Sequence, residues 1–355
     1  MKKKTIILIV VIFILVVFLF IVLKNPAKYV PEQNVTRYSN YSLPINQRNF
    51  YMGLVPSPKS IPETKFEDLV AAYEETGKIA EVVMVWPEIV GIGEYDKLSQ
   101  SKTITAVRVY GLKPVITLNF ATIKQINNSL EYVIDSPQGI EANLSNQKFR
   151  ELWVEEAKKI AQEFKPEYFS LGNEINDYFY LHPEQLDSYI SLYDSAYSEI
   201  KKVSPNTKVF VVFSYNHLID NNQWNLFEKF NNRVDLIGLT TYPWKHFSSP
   251  EEIDENYYSK LNQYTTKPIA FTEIGWVSTK SEKEQAEFLV KFLNLTKEMN
   301  LEMVNWLFLH EIELSGIIAS ISDKSVGIIA LKRADGTKKE IYNVWLDLKN
   351  LKLAK

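Results

Sequence analysis

Cysteine is absent from the 355 residues of this chain, and histidine occurs only four times. Neither a disulfide nor a thiolate metal site can form without cysteine, and the histidines show no metal-ligand spacing. No Gly-x-Gly-x-x-Gly or other phosphate-cradling loop occurs. The formal net charge of −3, with a pI near 6.0, gives no electrostatic attraction to nucleic acid. We therefore expect no metal, no cofactor and no nucleic-acid partner.

One long apolar run is present, at the start of the chain. Residues 6–23 are eighteen consecutive apolar residues that follow three lysines. At about 1.5 Å per residue they would span about 27 Å, close to the ~30 Å hydrocarbon core of a bilayer. No small-residue cleavage pattern follows. Residues 1–24 are therefore predicted to be an uncleaved membrane anchor, and a cleaved signal segment is the alternative.

The lysines before this run favour an N-terminus inside the cell and a remainder outside it. We accordingly expect a single-pass protein of the cell membrane with an extracellular domain, or a secreted protein if the segment is cleaved. Residues 25–48 contain three prolines and many polar residues without apolar periodicity, which is typical of a stalk. Residues 49–355 are enough for one large domain with a full core.

Within this domain, short apolar runs alternate with helical patterns. Predicted strands cover residues 50–55, 79–86, 114–120, 167–170, 209–213, 234–241, 268–273 and 302–309. Predicted helices include residues 98–110, 147–164, 250–264 and 282–299. Eight strands, each followed by a helix-sized segment, indicate an α/β fold in which a parallel sheet closes into a (β/α)8, or TIM, barrel. An open doubly wound sheet is the alternative, and the missing glycine-rich loop disfavours it. Residues 121–146, rich in Asn and Ser, exceed an ordinary barrel loop.

Two of the predicted strands end in a glutamate. The fourth runs into Leu171-Gly172-Asn173-Glu174, and 99 residues later the seventh delivers Glu273. The carboxyl ends of barrel strands form the face where barrel enzymes carry out their chemistry. Cleavage of a glycosidic bond requires one carboxylic acid to protonate the leaving oxygen and one carboxylate to attack or stabilise the anomeric carbon. The two glutamates therefore predict a retaining glycoside hydrolase that acts on a poly- or oligosaccharide.

These strand ends resemble a known group of enzymes. Asn173-Glu174 and Thr272-Glu273 are similar to the signature of the clan A glycoside hydrolases, and residues 171–175 and 236–244 look most like family 53, the endo-β-1,4-galactanases. The resemblance implies a (β/α)8 barrel and retention of configuration at the anomeric carbon. One departure is that many clan members place an arginine near the end of strand two, where this chain has Trp86-Pro87-Glu88.

The resemblance also implies roles for individual residues. By position, Glu174 would be the acid/base and Glu273 the nucleophile. Asn173 would hydrogen-bond the sugar 2-hydroxyl, Tyr242 would orient Glu273, and Trp306 would floor the sugar subsite. Independently of the resemblance, a phenol that donates to a carboxylate is expected to keep the pKa of that carboxylate low.

Further candidates lie at the predicted strand ends. Trp86, Trp244 and Trp276 could each pack an indole on the apolar face of a sugar ring, and Asn119 could bind hydroxyls. A non-catalytic glycan-binding barrel at the cell surface is the alternative function, but such a barrel would gain nothing from a paired acid and nucleophile. A scaffold or membrane-fusion role has only the apolar N-terminus in its favour.

Overall fold

The computed structural model describes residues 37–59, 65–85, 91–126, 129–279, 281–312 and 324–355. The predicted anchor and Trp86 lie outside these ranges. Within them, none of the helices has the length and apolar character that crossing a membrane requires.

The described strands and helices alternate along the chain. The strands are β1 Gln47–Arg48, β2 Tyr51–Leu54, β3 Val82–Val85, β4 Lys113–Thr117, β5 Ala121–Ile126, β6 Ser129–Ile134, β7 Tyr168–Ser170, β8 Lys208–Ser214, β9 Leu236–Thr241, β10 Ile269–Ile274, β11 Leu301–Trp306 and β12 Lys352–Leu353. The α-helices are α1 Phe66–Ile79, α2 Glu94–Ser101, α3 Thr103–Val109, α4 Gln147–Phe164, α5 Ile175–Leu181, α6 Leu186–Val203, α7 Tyr215–Asp220, α8 Asn225–Phe230, α9 Glu282–Thr296 and α10 Glu340–Asn350.

Eight of these strands form a closed parallel barrel in the order β10-β11-β2-β3-β4-β7-β8-β9. Each of the eight predicted strands corresponds to one of them, so the α/β TIM barrel is confirmed. Helix α4 shows how the outer layer forms. The side chain of Asn146 caps its first turn by accepting from the Phe149 N–H at 3.0 Å, and its apolar face, which includes Trp153 and Ile160, is fully buried.

Two predicted helices differ from the structure. Residues 98–110 are divided between α2 and α3, because Lys102 adopts a left-handed conformation with φ of 57°. Residues 250–264 contain only the short 3₁₀ segments Pro250–Glu252 and Ser259–Gln263. The apolar spacing there is helical, but the segment is rich in Asp, Asn and Ser, which favour turns and caps over helix interiors.

The segment predicted as an oversized loop contains an antiparallel hairpin. Strands β5 and β6 pair from Ala121 with Ile134 to Ile126 with Ser129, directly after the carboxyl end of β4. This hairpin therefore stands on the face of the barrel that carries Glu174 and Glu273.

The start of the packed domain also differs from the predicted boundary at residue 49. The backbone N–H groups of Tyr38 and Ser39 donate to the Asp347 carboxylate of α10 at 2.6 and 2.9 Å. Strand β1 pairs in parallel with β12, and the buried Arg48 forms an ion pair with Glu81 at 3.0 Å. Residues 37–48, predicted as stalk, therefore pack on the barrel.

Candidate active site

Glu174 follows β7 at the carboxyl end of the barrel and has a strained backbone. Its φ of 49° and ψ of 42° lie in the left-handed region, which costs a non-glycine residue about 1–2 kcal/mol. Gly172, with φ of 131°, makes the preceding turn, and a Cβ there would lie 2.5 Å from Cγ2 of Ile175. The Gly172 turn lets helix α5 begin immediately after Glu174, so the carboxyl stays at the strand end.

Asn119, predicted to bind sugar hydroxyls, supports this turn. Its Oδ1 accepts from the backbone N–H of Asn173 at 2.7 Å, and its carbonyl oxygen accepts from Trp153 Nε1 at 3.0 Å. Asn119 therefore fixes the backbone of the residue that precedes Glu174, and it is itself anchored to α4. The Oδ1 of Asn173 is buried and has no hydrogen-bond partner in the described part of the chain.

Glu273 lies on β10 and is only 6% exposed. The hydroxyl of Tyr242 donates to its Oε2, which is the contact that the resemblance implied. Tyr242 is held in turn by Asn216, whose side-chain amide donates to the Tyr242 carbonyl oxygen at 3.1 Å and accepts from its N–H at 2.9 Å. The phenol is therefore placed by a rigid backbone, which limits how far it can move from Glu273.

Thr240 joins the two carboxyl groups into one site. In the barrel register Thr240 is the neighbour of Glu273, and its Oγ1 donates to Glu174 Oε1 at 2.5 Å. The side chain that reaches Glu174 thus starts beside Glu273. The sequence reasoning did not single out Thr240, although it lies two residues before Tyr242 on a strand.

The two carboxyl groups perturb each other. Burial raises the pKa of Glu273, and the charge of Glu174 adds to the rise. The hydrogen bonds from Tyr242 and from the side chain of Asn173 lower the pKa of Glu273 only in part. The expectation that the phenol keeps this pKa low is therefore wrong for the net shift, although the phenol acts in the expected direction. Two neighbouring carboxyls with raised pKa values, one buried and one half-buried, favour a state that shares one proton.

Several charged groups surround Glu174. Burial raises its pKa, and the carboxylate of Asp177, one turn along α5, raises it further. The hydrogen bond from Thr240 lowers it, as do the positive charges of Lys245 and His217. His217 Nδ1 and Asp177 Oδ1 are 2.6 Å apart, and this contact is the main reason that the pKa of His217 is raised. Asp177 and His217 meet only through the fold, which is why no sequence spacing marked them as a pair.

The predicted tryptophans have different positions. Trp244 is half-buried and lines a cavity of about 350 Å³ between the segments that follow β9 and β10. Its Nε1 has no acceptor among the described residues. Trp276 lines the same cavity but is 1% exposed, stacks on Phe288 and donates to Glu284 at 3.3 Å. Trp244 therefore stays a candidate for contact with a sugar, whereas the ring of Trp276 is packed within the cavity wall.

Trp306 does not join this group. It is fully buried, its Nε1 donates to the carbonyl oxygen of Ile329 at 2.8 Å, and its ring faces Phe288 of α9 and Trp345 of α10. Trp306 therefore points from β11 into the helix layer and not into the barrel mouth. The expectation that it floors the sugar subsite is corrected on this ground.

A larger cavity, of about 660 Å³, lies outside the barrel between α6 and the end of α8. Its charged groups already pair with one another, Lys229 with Asp187 at 3.2 Å and Arg233 with Asp194 at 3.1 Å. It contains none of the groups around Glu174, so we place the active site at the barrel mouth. No cluster of three or more His, Asp or Glu able to hold a metal ion is found in the described ranges.

A parallel barrel that presents two interacting glutamates at the ends of β7 and β10, one of them bonded by a tyrosine, defines a barrel glycoside hydrolase. The family model described as glycosyl hydrolase family 53 matches residues 140–329, which is 190 of the 355 residues and includes both glutamates. The chain belongs to glycosyl hydrolase family 53. No curated protein matches it by sequence.

Solved structures with this fold are distant in sequence. The exo-β-1,4-mannosidase Op5Man5 from Opitutaceae bacterium strain TAV5 has a TM-score of 0.65 at 15% identity, over 90% of this chain and 63% of that one. A GH5_18 protein from Bifidobacterium longum subsp. longum has a TM-score of 0.63 at 13% identity, over 85% of this chain and 79% of that one. An endo-1,4-β-xylanase from Caldicellulosiruptor owensensis has a TM-score of 0.58 at 13% identity, over 84% of this chain and 96% of that one. The chain thus spans less than two thirds of the mannosidase, and these likenesses show the fold alone.

Proposed function

We propose that this protein hydrolyses β-linked glycans with retention of configuration, by a double displacement in which Glu174 is the acid/base and Glu273 the nucleophile. The observation that carries the proposal is the shared neighbourhood of the two carboxyls, with Thr240 on Glu174 and Tyr242 on Glu273. A non-catalytic glycan-binding barrel has no use for this arrangement.

The hydrogen bonds favour this division of roles. Glu273 accepts from Tyr242 and from Asn173, and two donors stabilise its ionised form relative to its protonated form. Among the described residues Glu174 accepts from Thr240 alone, and it faces the negative charge of Asp177, which favours its protonated form. The single proton that the pair shares at neutral pH is therefore best placed on Glu174.

The proposed reaction has two steps. Glu174 gives its proton to the glycosidic oxygen as the bond to the anomeric carbon breaks, and Glu273 forms an ester bond with that carbon. Glu174, now ionised, takes a proton from water, whose oxygen attacks the same carbon and releases Glu273. Asn173 stands next to both carboxyls, where its amide can hydrogen-bond the sugar 2-hydroxyl in each transition state.

The test is to screen the full-length protein in detergent against β-1,4-galactan, mannan, xylan and glucan. The anomer formed first is then read by NMR. A 2-deoxy-2-fluoro glycoside of the cleaved sugar should label the peptide that contains Glu273, because fluorine slows release of the intermediate. Glu273→Gln is the matched control and should not be labelled. Label on another residue, or an inverted product, would reject the mechanism, and binding of glycans without cleavage would favour the non-catalytic alternative.

We also propose that the catalytic domain is held outside the cell by the apolar segment, with its active site facing away from the membrane. The support is the charge pattern of residues 2–23 and the route of the chain into the domain. Residues 47–48 pair with β12, and Arg48 bonds Glu81 at the start of β3, so the chain enters at the amino end of the barrel. Glu174 and Glu273 lie at the opposite end.

Protease treatment of intact cells tests this arrangement. The domain should be degraded without opening the cells, and it should fractionate with membranes. Protection from protease would refute the orientation. A mature N-terminus near residue 28 would refute the anchor but leave export in place.

A further inference from the structure

The groups around the two glutamates divide into two sets. Glu273 is perturbed by Glu174, Tyr242 and Asn173. The polar groups that act on Glu174 but are not among those that act on Glu273 are Asp177, His217, Lys245 and Thr240. In the proposed reaction Glu174 protonates the leaving oxygen, so the departing part of the substrate must lie against Glu174 on the side away from Glu273.

We propose that Tyr132, Lys245 and the Asp177–His217 pair form the subsite for the leaving group, and that this subsite holds a sugar residue by its hydroxyls. The inference rests on the proposed function and deepens it. It concerns residues on four different parts of the fold, namely the β5–β6 hairpin, the 3₁₀ segment Pro243–Lys245, α5 and α7.

The hairpin supplies Tyr132. Its ring packs edge-on against Tyr178, with the ring centres 5.5 Å apart, and Tyr178 lies one turn beyond Glu174 on α5. The charges of Glu174 and Asp177 both act on the Tyr132 phenol, which places its hydroxyl on the acid/base side of the site. Tyr132 is half-buried, and no hydrogen bond of its hydroxyl is found among the described residues. A half-buried aromatic ring with such a hydroxyl beside the acid/base is suited to a sugar.

The Asp177–His217 pair leaves one imidazole nitrogen open. Because a carboxylate only accepts hydrogen bonds, the 2.6 Å contact requires a proton on His217 Nδ1. This contact fixes the ring and leaves Nε2, which has no described partner, for a ligand. The His217 side chain is 42% exposed, so a sugar hydroxyl can reach it.

Lys245 completes the group. Its Nζ lies 5.7 Å from the ring centre of Tyr242, whose hydroxyl bonds Glu273, and its charge also acts on Glu174. Within the described residues Lys245 makes no ion pair, although most lysines near carboxylates in this chain do. An exposed ammonium beside the acid/base, without a carboxylate partner, is free to donate to hydroxyls of the leaving sugar.

A comparison of leaving groups tests the inference. The full-length protein is assayed with β-1,4-linked tetrasaccharides of galactose, mannose, glucose and xylose. The best tetrasaccharide is compared with the 2,4-dinitrophenyl glycoside of the corresponding trisaccharide, whose leaving group has no hydroxyls and needs no acid. The quantity compared is kcat/KM, because it reports the first displacement alone.

The variants are Tyr132→Phe and Lys245→Met. Loss of one neutral hydrogen bond should lower kcat/KM for the tetrasaccharide about 3- to 10-fold, and loss of a charged one about 10- to 100-fold. The dinitrophenyl glycoside should show a clearly smaller loss. Transfer of the glycosyl group to an added disaccharide, relative to hydrolysis, should also fall, because the acceptor occupies the same subsite. A purely structural effect would not change that ratio.

Matched controls are Tyr197→Phe and Lys229→Met. Tyr197 is a half-buried tyrosine of α6 whose hydroxyl donates to Asp235 at the amino end of the barrel, and Lys229 lies on the outer surface. Both controls should leave the two substrates unaffected. Equal losses on both substrates, or an unchanged transfer ratio, would overturn the inference alone. Wild-type protein that cleaves none of the substrates would overturn the proposed function and the inference with it.

Discussion

Replacement of Tyr242 by phenylalanine tests the nucleophile assignment with a single oxygen atom. The ring would stay in place, because Asn216 bonds both the N–H and the carbonyl oxygen of residue 242. The ring also packs against Trp244, with the ring centres 4.8 Å apart. What is lost is the hydrogen bond to Glu273, a buried group that is 6% exposed. The perturbation is therefore confined to one donor on one carboxyl.

The magnitude follows from the type of bond. A hydrogen bond to a charged group contributes about 1.5–3 kcal/mol, which is about 10- to 150-fold in rate if the ionised nucleophile depends on it. The bond from Tyr242 lowers the pKa of Glu273, so its removal raises that pKa further. Because the nucleophile must be ionised, the acid limb of the pH profile of kcat/KM should move to higher pH.

The assay uses an aryl glycoside with a good leaving group, so that protonation by Glu174 does not limit the rate. The control is Tyr193→Phe, which removes the hydroxyl of a fully buried tyrosine that only donates to the Val209 carbonyl oxygen at 3.4 Å. Tyr242→Phe should shift the acid limb, and Tyr193→Phe should leave it in place. A loss of rate without that shift would mean that Tyr242 does not act through the charge of Glu273.

Three further predictions concern the same pair. Glu174→Ala should spare substrates with good leaving groups and be rescued by azide, which needs no base to attack the intermediate; equal loss on all substrates without rescue would contradict the acid/base role. Thr240→Val removes a bond that lowers the pKa of Glu174, so the alkaline limb of kcat/KM should move to higher pH, and an unmoved limb would count against it. Burial and mutual repulsion raise the pKa values of both carboxyls, so the native pair binds more protons than the unfolded chain and stability falls as pH rises through the titration of the shared proton, by about 1.4 kcal/mol per unit. Glu273→Gln should flatten this part of the curve of unfolding free energy against pH, and an unchanged slope would refute the assigned shift.

The sequence predicts the barrel because each strand is an apolar run bounded by residues that disfavour its continuation, such as proline and glycine. Strand β7 illustrates this: Pro166 precedes it, Gly172 closes it, and its three residues are all buried. Both glutamates could be found for the same reason, since each follows such a run directly. Neither inference needed a contact between residues distant in the sequence.

What the sequence left out depends on contacts between separate elements. The Asn and Ser content of residues 121–146 indicates a loop and hides the hairpin of residues 121–134. In the structure the hairpin is held by Tyr132, which packs on Tyr178, and by Ile134, which lies in the core. The family resemblance implies a site role for Trp306 from its position in the sequence alone. Successive side chains of a strand point to opposite faces, so an offset of one residue moves a side chain from the barrel interior to the helix layer. Trp306 faces the helices.

Strand β9 contains a site residue, Thr240, that the sequence does predict once Tyr242 is assigned to the site. Along a strand, side chains two residues apart point to the same face and the one between them points to the other. Thr240 and Tyr242 bond Glu174 and Glu273 respectively, whereas the hydroxyl of Thr241 lies 3.1 Å from that of Tyr258 in the outer layer. Once Tyr242 was taken to face the barrel mouth, Thr240 had to face it as well. Strand β9 and the residue directly after it thus supply one hydroxyl donor to each carboxyl, and the spacing of the two donors follows from the strand repeat.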